Sequence, residues 1–140
     1  PEPLSAEFDA AHLARAFKGR RAAVKALLLD QAVVAGAGNI YATEALYRAG
    51  VRPARAAKSL KADERERLAA GLKAVLEAGI AAGGSTLDDE AFLDPLGRPG
   101  RAHLSLAVYG RTECPEGHAL AKTRKPLAGR TSWYCPDCQK

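Results

Sequence analysis

The strongest apolar periodicity runs from 63 to 84, "DERERLAAGLKAVLEAGIAAGG", where Leu68, Leu72, Val75, Leu76 and Ile80 follow at steps of four, three, one and four. That spacing gathers them on one face of a helix, and Gly83 and Gly84 supply its stop. Three shorter segments carry the same signature. In "AEFDAAHLARAFKG", Leu13 and Phe17 lie one turn apart, with Ser5 as the expected cap and Gly19 as the stop. "RAAVKALLLDQ" aligns Val24, Leu27 and Leu28, and "IYATEALYRAG" aligns Ala42, Ala45, Leu46 and Ala49 before ending at Gly50. "VRPARAAKSL" reads as an irregular connector, because Pro53 restricts the residue before it. The pattern predicts a mainly α protein.

Helical periodicity fails over 85–102, "STLDDEAFLDPLGRPGRA", which reads as a long loop. "HLSLAVYGR" alternates weakly and is expected to be a strand. The last stretch, "KTRKPLAGRTSWYC", reads strand, turn, strand around Gly129, with Thr131 and Trp133 facing one way and Ser132 and Tyr134 the other. The expected organisation is a helical domain over 1–92, a loop and connecting strand over 93–109, and a small β-hairpin over 110–140.

Cysteine usage adds chemistry to that hairpin. The chain has three cysteines, all near its carboxyl end, a pattern that favours a metal site in a reducing compartment over a disulfide framework. Cys114-x3-His118 and Cys135-x2-Cys138 make a Cys3His set at the two ends of the hairpin. Thiolate and imidazole are the usual ligands of structural zinc, and four protein ligands leave no open position for water. One structural Zn2+ is therefore expected, and it would supply the folding energy of a tail with little core. His12 and His103 read as ordinary surface or boundary residues.

The net charge of +5 suits a polyanionic partner without requiring one. No run of about 20 apolar residues is present to span a membrane, and the acidic, polar start "PEPLSAEFDA" does not read as a signal peptide. Two features could hold phosphate. "GAGNIYATEAL" opens a helix after Gly36 and Gly38, where free N–H groups and the positive dipole end favour an anion and Asn39 can cap the helix or reach that anion. Arg130 sits at the hairpin tip, with Lys122, Arg124 and Lys125 on the approach, and a guanidinium matches phosphate oxygens in pairs.

"LLLDQAVVAGAGNIYATEALYRAGVRP", then "LAVYGR" and the final "GRTSWYCPDCQK", resemble the C-terminal half of the formamidopyrimidine-DNA glycosylases, the Fpg/Nei family. The resemblance runs over nearly the whole chain. It implies a helix–two-turn–helix domain followed by a zinc-finger hairpin, which together clamp damaged double-stranded DNA. Asn39 falls on the family's phosphate-binding Asn and Arg130 on its finger-tip Arg, while Lys25 and Tyr109 fall on further backbone contacts. The segment 85–102 falls on a loop that in some members closes over the extruded base. Two departures stand out: His118 replaces the usual second cysteine, and the loop wording differs.

The family's nucleophile is an N-terminal Pro amine on a separate β-sandwich, and "PEPLS" matches the linker into the helical domain instead of that catalytic start. The resemblance thus implies a DNA-binding half with no catalytic residue of its own, inactive alone, whose partners are damaged duplex DNA and a missing N-terminal catalytic domain. It also implies a monomer in the bacterial cytoplasm, associated with the nucleoid. Two alternatives are an RNA- or ribosome-binding module and a zinc ribbon for protein docking, with an exposed Trp133 as anchor.

Overall fold

A computed structural model describes residues 5, 8–36, 38–81 and 106–140. The expected loop over 85–102, His103 and the Gly83–Gly84 stop lie outside the described residues. The elements are α1 (Ala10–Phe17), α2 (Val24–Leu28), α3 (Asn39–Ala49), a 3-10 turn (Ala57–Ser59), α4 (Ala62–Ala81), and the strands β1 (Ala121–Lys122) and β2 (Trp133–Tyr134).

α1 starts later than the sequence suggested. Its cap is Asp9, not Ser5: the Asp9 carboxylate accepts from the His12 backbone N–H at 2.8 Å. Phe8, just before the cap, and Leu13, one turn in, are both fully buried in the core, the pairing that fixes a helix entry. His12 is less ordinary than expected, since its Nε2 lies 2.8 Å from the Val33 carbonyl oxygen and ties α1 to the turns after α2.

The long helix α4 begins with half of a capping box. Glu64, in its first turn, accepts from the Lys61 N–H at 2.9 Å while Arg55 grips the same carboxylate at 2.5 and 3.1 Å. The Arg55 guanidinium holds the Glu64 carboxyl below the usual carboxylate range. Leu68, Leu72 and Val75 are buried as the stripe predicted, and Leu76 packs at the core's margin.

α3 is the central element. α4 packs along it, α2 and β2 adjoin it, and α1 covers α4. Nine of its eleven residues are buried, so it has no solvent face to speak of. Tyr41, fully buried, donates its hydroxyl to the Leu72 carbonyl of α4, and burial pushes its phenol far above the ordinary value. The α3–α4 approach is close because Gly71 has no side chain: a Cβ there would lie 3.1 Å from the Ala45 carbonyl oxygen.

The hairpin is antiparallel, with Ala121 opposite Tyr134 and Lys122 opposite Trp133. "HLSLAVYGR" is not a strand over its described part: 106–111 forms bends and a turn. Three consecutive N–H groups there, of Ala107, Val108 and Tyr109, are taken by the Glu44 carboxylate and cannot join a ladder.

Gly71→Val should force branched bulk against the Ala45 carbonyl and cost about 1–3 kcal/mol, the usual range for overpacking. Urea unfolding of the variant would show a lower midpoint, and an unchanged midpoint would contradict the close approach.

Candidate nucleic-acid interface and metal centre

Lys25 is the first surprise at the site. A lysine on a short helix is normally solvated, yet Lys25 is fully buried. Its ammonium donates to the Asn39 side-chain oxygen, to the Thr131 carbonyl at 3.1 Å and to the Ser132 hydroxyl at 2.6 Å. Three acceptors match the three donors of an ammonium. Asn39 completes the arrangement: its Nδ2 donates to the same Thr131 carbonyl at 3.0 Å. The network joins α2, the start of α3 and the hairpin.

Asn39 therefore does not cap α3. The cap is Gly38, half-buried and extended, with no side-chain hydrogen bond, and Asn39 is the first helical residue with its carboxamide turned to the hairpin. Asn39 is 3% exposed and Lys25 0%, so both lie beneath the surface expected for direct contacts. The positive pole of the eleven-residue α3 points to the same place.

Arg130 follows directly. It precedes Thr131, the residue that Lys25 and Asn39 hold, and it is exposed at the tip. The tip is a two-residue turn closed by Arg130 N–H to Leu127 O and Leu127 N–H to Arg130 O, both 3.0 Å. Ala128 (φ +51°) and Gly129 (φ +76°) both adopt the left-handed region, as a type I′ turn requires. Glycine meets that demand freely; Ala128 does so at a conformational cost.

Tyr109 is half-buried. Its ring packs on Trp133 at 4.7 Å between centroids, with the Lys122 ammonium 5.7 Å from the Trp133 ring's centre. Trp133 is consequently not the exposed anchor the sequence suggested. Both residues of β2 are half-buried; Ser132, just before it, is buried against Lys25, and Tyr134 lies under the Arg52 guanidinium at 5.4 Å.

Cys114, His118, Cys135 and Cys138 converge into a group that can hold a metal ion, their ligand atoms all within 4.8 Å of one another. His118 presents Nδ1, which lies 3.5, 3.8 and 3.4 Å from the sulfurs of Cys114, Cys135 and Cys138. The three cysteines are unlinked by disulfide. Each knuckle is a tight turn: Gly117 N–H bonds Cys114 O at 2.9 Å, and Cys138 N–H points at the Cys135 sulfur at 3.3 Å. Burial pushes the Cys114 thiol up, but N–H groups of His118 and Glu116 outweigh it and bring the thiol down to about 7. Tyr47 packs against the cluster, and burial, followed by the Cys114 and Cys138 sulfurs, raises its phenol.

Four residues that matter here escaped the sequence reading. Ser132 accepts from Lys25, and Glu44 holds the 107–109 turn. Gln139, fully buried, accepts from Cys135 N–H at 2.7 Å and donates to Val51 O at 2.8 Å. Arg52 donates to Gln139 O and Pro136 O, both at 2.9 Å. Together they stitch the second knuckle to the loop after α3. The one signal in the sequence was Glu44, an acid within the small and apolar "IYATEALYRAG".

Lys25→Met should leave the Thr131, Ser132 and Asn39 acceptors without their shared donor, at about 1–3 kcal/mol for buried groups left unpaired. Thermal unfolding should show the loss, and proteolysis should reach the hairpin sooner; unaltered profiles would count against the network.

Residues 1–91 match the family described as the formamidopyrimidine-DNA glycosylase H2TH domain. The formamidopyrimidine-DNA glycosylase of Halorhodospira halophila is 55% identical over the whole chain, which covers 51% of that relative. The crystal structure of the MutM (Fpg) protein of Thermus thermophilus superposes with a TM-score of 0.84 at 44% identity, over 99% of this chain and 53% of that one. The Lactococcus lactis Fpg in complex with DNA containing an abasic site gives a TM-score of 0.83 at 30% identity, over 100% of this chain and 51% of that one. The chain thus spans about half the length of the curated relatives it matches. With a domain match over most of its length and the fold shared throughout, the chain belongs to the formamidopyrimidine-DNA glycosylase family.

Proposed function

We propose that this chain is the DNA-gripping part of a base-excision repair glycosylase and AP lyase that acts on oxidised or ring-opened purines. Its ligand is damaged double-stranded DNA, held by its phosphates. The chemistry belongs to the half of the relatives that this chain does not match, and no residue here is assigned a catalytic role. The observation that carries the reading is the Lys25–Asn39–Thr131 network, which holds the positive pole of α3 beside the hairpin tip. Arg130 and the N–H groups after Gly38 would meet successive phosphates, with Tyr109 nearby in the turn before the hairpin, its ring against Trp133. Lys25 and Asn39 act from beneath by fixing that spacing and adding positive potential. Docking of a protein through Trp133 is the weaker reading, since the Tyr109 ring covers it.

Such a grip is electrostatic, so affinity should fall steeply with salt and depend little on sequence. Arg130→Ala should weaken binding by about 1–3 kcal/mol, lower the salt slope by about one and leave stability intact. Asn39→Ala should weaken binding too, but with a lower melting temperature, because it also removes buried hydrogen bonds. Fluorescence anisotropy on an abasic-site duplex across a salt series decides it: a flat salt response, or wild-type affinity in Arg130→Ala, would falsify the phosphate grip.

The metal we assign is one zinc ion held by Cys114, His118 Nδ1, Cys135 and Cys138. Zn–S and Zn–N bonds in a tetrahedron put sulfur and nitrogen about 3.6 Å apart, and the 3.4–3.8 Å distances found here fit. With four protein ligands the ion supports structure and performs no reaction. His118→Ala and Cys135→Ser should each lose zinc, measured as metal per chain after dialysis. The far-UV helical signal should largely survive, because α1 to α4 have their own core. Full zinc retention in Cys135→Ser would refute the ligand set.

A further inference from the structure

We propose that Glu44 is a positioning residue for the duplex grip: its carboxylate fixes the Ala107–Tyr109 turn and, through the Tyr109 ring, sets the strand that presents Arg130. The proposal rests on the DNA-binding reading above and assigns a role to a residue outside the phosphate contacts.

Glu44 lies on α3 and is 4% exposed. A carboxylate that deep needs strong partners. It receives Ala107 N–H on Oε1 at 2.6 Å, and Val108 and Tyr109 N–H on Oε2 at 2.9 and 2.8 Å. Successive N–H groups turned to one side form a concave anion cradle, and here the anion is the protein's own. The consequence is directional. With its backbone pinned, Tyr109 lays its ring on Trp133, the first residue of β2, at 4.7 Å.

The same helix therefore holds the hairpin at two points. Asn39, at its start, bonds the Thr131 carbonyl, and Glu44, about 7.5 Å further along at 1.5 Å per residue, holds Trp133 by way of Tyr109. Thr131 and Trp133 are two residues apart, just after Arg130, on the segment that leads into β2. The Lys25–Ser132 bond lies beside the first point and the Arg52–Gln139 seam holds the knuckle beyond; the Tyr109 contact adds a hold at the start of β2 and limits rotation about Thr131.

The sign of the effect separates this role from simple electrostatics. Deleting an acid from a basic protein should raise its affinity for a polyanion, whereas loss of a positioning group should lower it. In the full chain, Glu44→Ala is expected to reduce affinity for an abasic-site duplex about tenfold, as for one lost hydrogen-bonded anchor. Its salt slope should match the wild type, unlike that of Arg130→Ala. Amide exchange at Val108 and Tyr109 should accelerate, and the emission of Trp133, the single tryptophan, should shift red at unchanged zinc content. Unchanged or raised affinity overturns the proposal, as does rapid exchange of those amides in the wild type. Should Glu44→Ala fail to fold, Glu44→Gln keeps the size but sets an NH2 against N–H donors, and it carries the same expectations and the same refutation. A wild-type chain that ignores duplex DNA would defeat the DNA reading instead, while exchange and emission would still report on the Glu44 anchor.

Discussion

A buried ammonium between two modules constrains everything else in this molecule. Lys25 is out of water, so it must keep its acceptors or the site becomes untenable. Those acceptors come from different parts of the chain: Asn39 from the start of α3, and Thr131 and Ser132 from the hairpin more than a hundred residues after Lys25. A displaced hairpin would strand a charge. The helical part and the hairpin therefore behave as one body, with a second seam where Arg52 and Gln139 join the knuckle to the loop after α3.

Magnitudes separate the tasks of the proposed metal and of this seam. A structural zinc in a finger contributes on the order of 10–16 kcal/mol to folding, against about 1 kcal/mol for a hydrogen bond. The seam cannot fold a hairpin whose ladder has two residue pairs and whose core cluster is Val108, Cys114 and Cys135. It can orient one that such a metal would fold. Orientation needs only enough energy to favour one angle over others, and a few buried hydrogen bonds suffice.

Much of this was legible in the sequence, for identifiable reasons. The helices were, because Leu68, Leu72 and Val75 keep a helical interval over two turns and Leu13 and Phe17 over one. The convergence of Cys114, His118, Cys135 and Cys138 into a group able to hold a metal was, because Cys135-x2-Cys138 closes a knuckle locally. The cap of α1 was misplaced because serine and aspartate cap equally well, and only the burial of Phe8 favours Asp9. The strand expected in "HLSLAVYGR" failed because an acid sixty residues away captures its N–H groups. No local pattern encodes that capture. The helix start after Gly38 was legible, but the burial of Asn39 was invisible: a carboxamide on an anion and one on a carbonyl look identical in sequence.

That burial changes how the proposed phosphate site should work. A carboxamide already bonded to Thr131 and Lys25 has little to offer a ligand directly. Its value lies in rigidity. Arg130 has a long, flexible side chain, and a guanidinium on a loose loop loses much of its attraction to the entropy of ordering. Here the residue after it is held by two hydrogen bonds, so the backbone that carries the proposed contact is already ordered. The left-handed Ala128–Gly129 turn shortens the loop to its minimum and serves the same end. An exposed arginine on a buried, fully bonded base is how a small basic protein with a charge of only +5 can make one phosphate contact count.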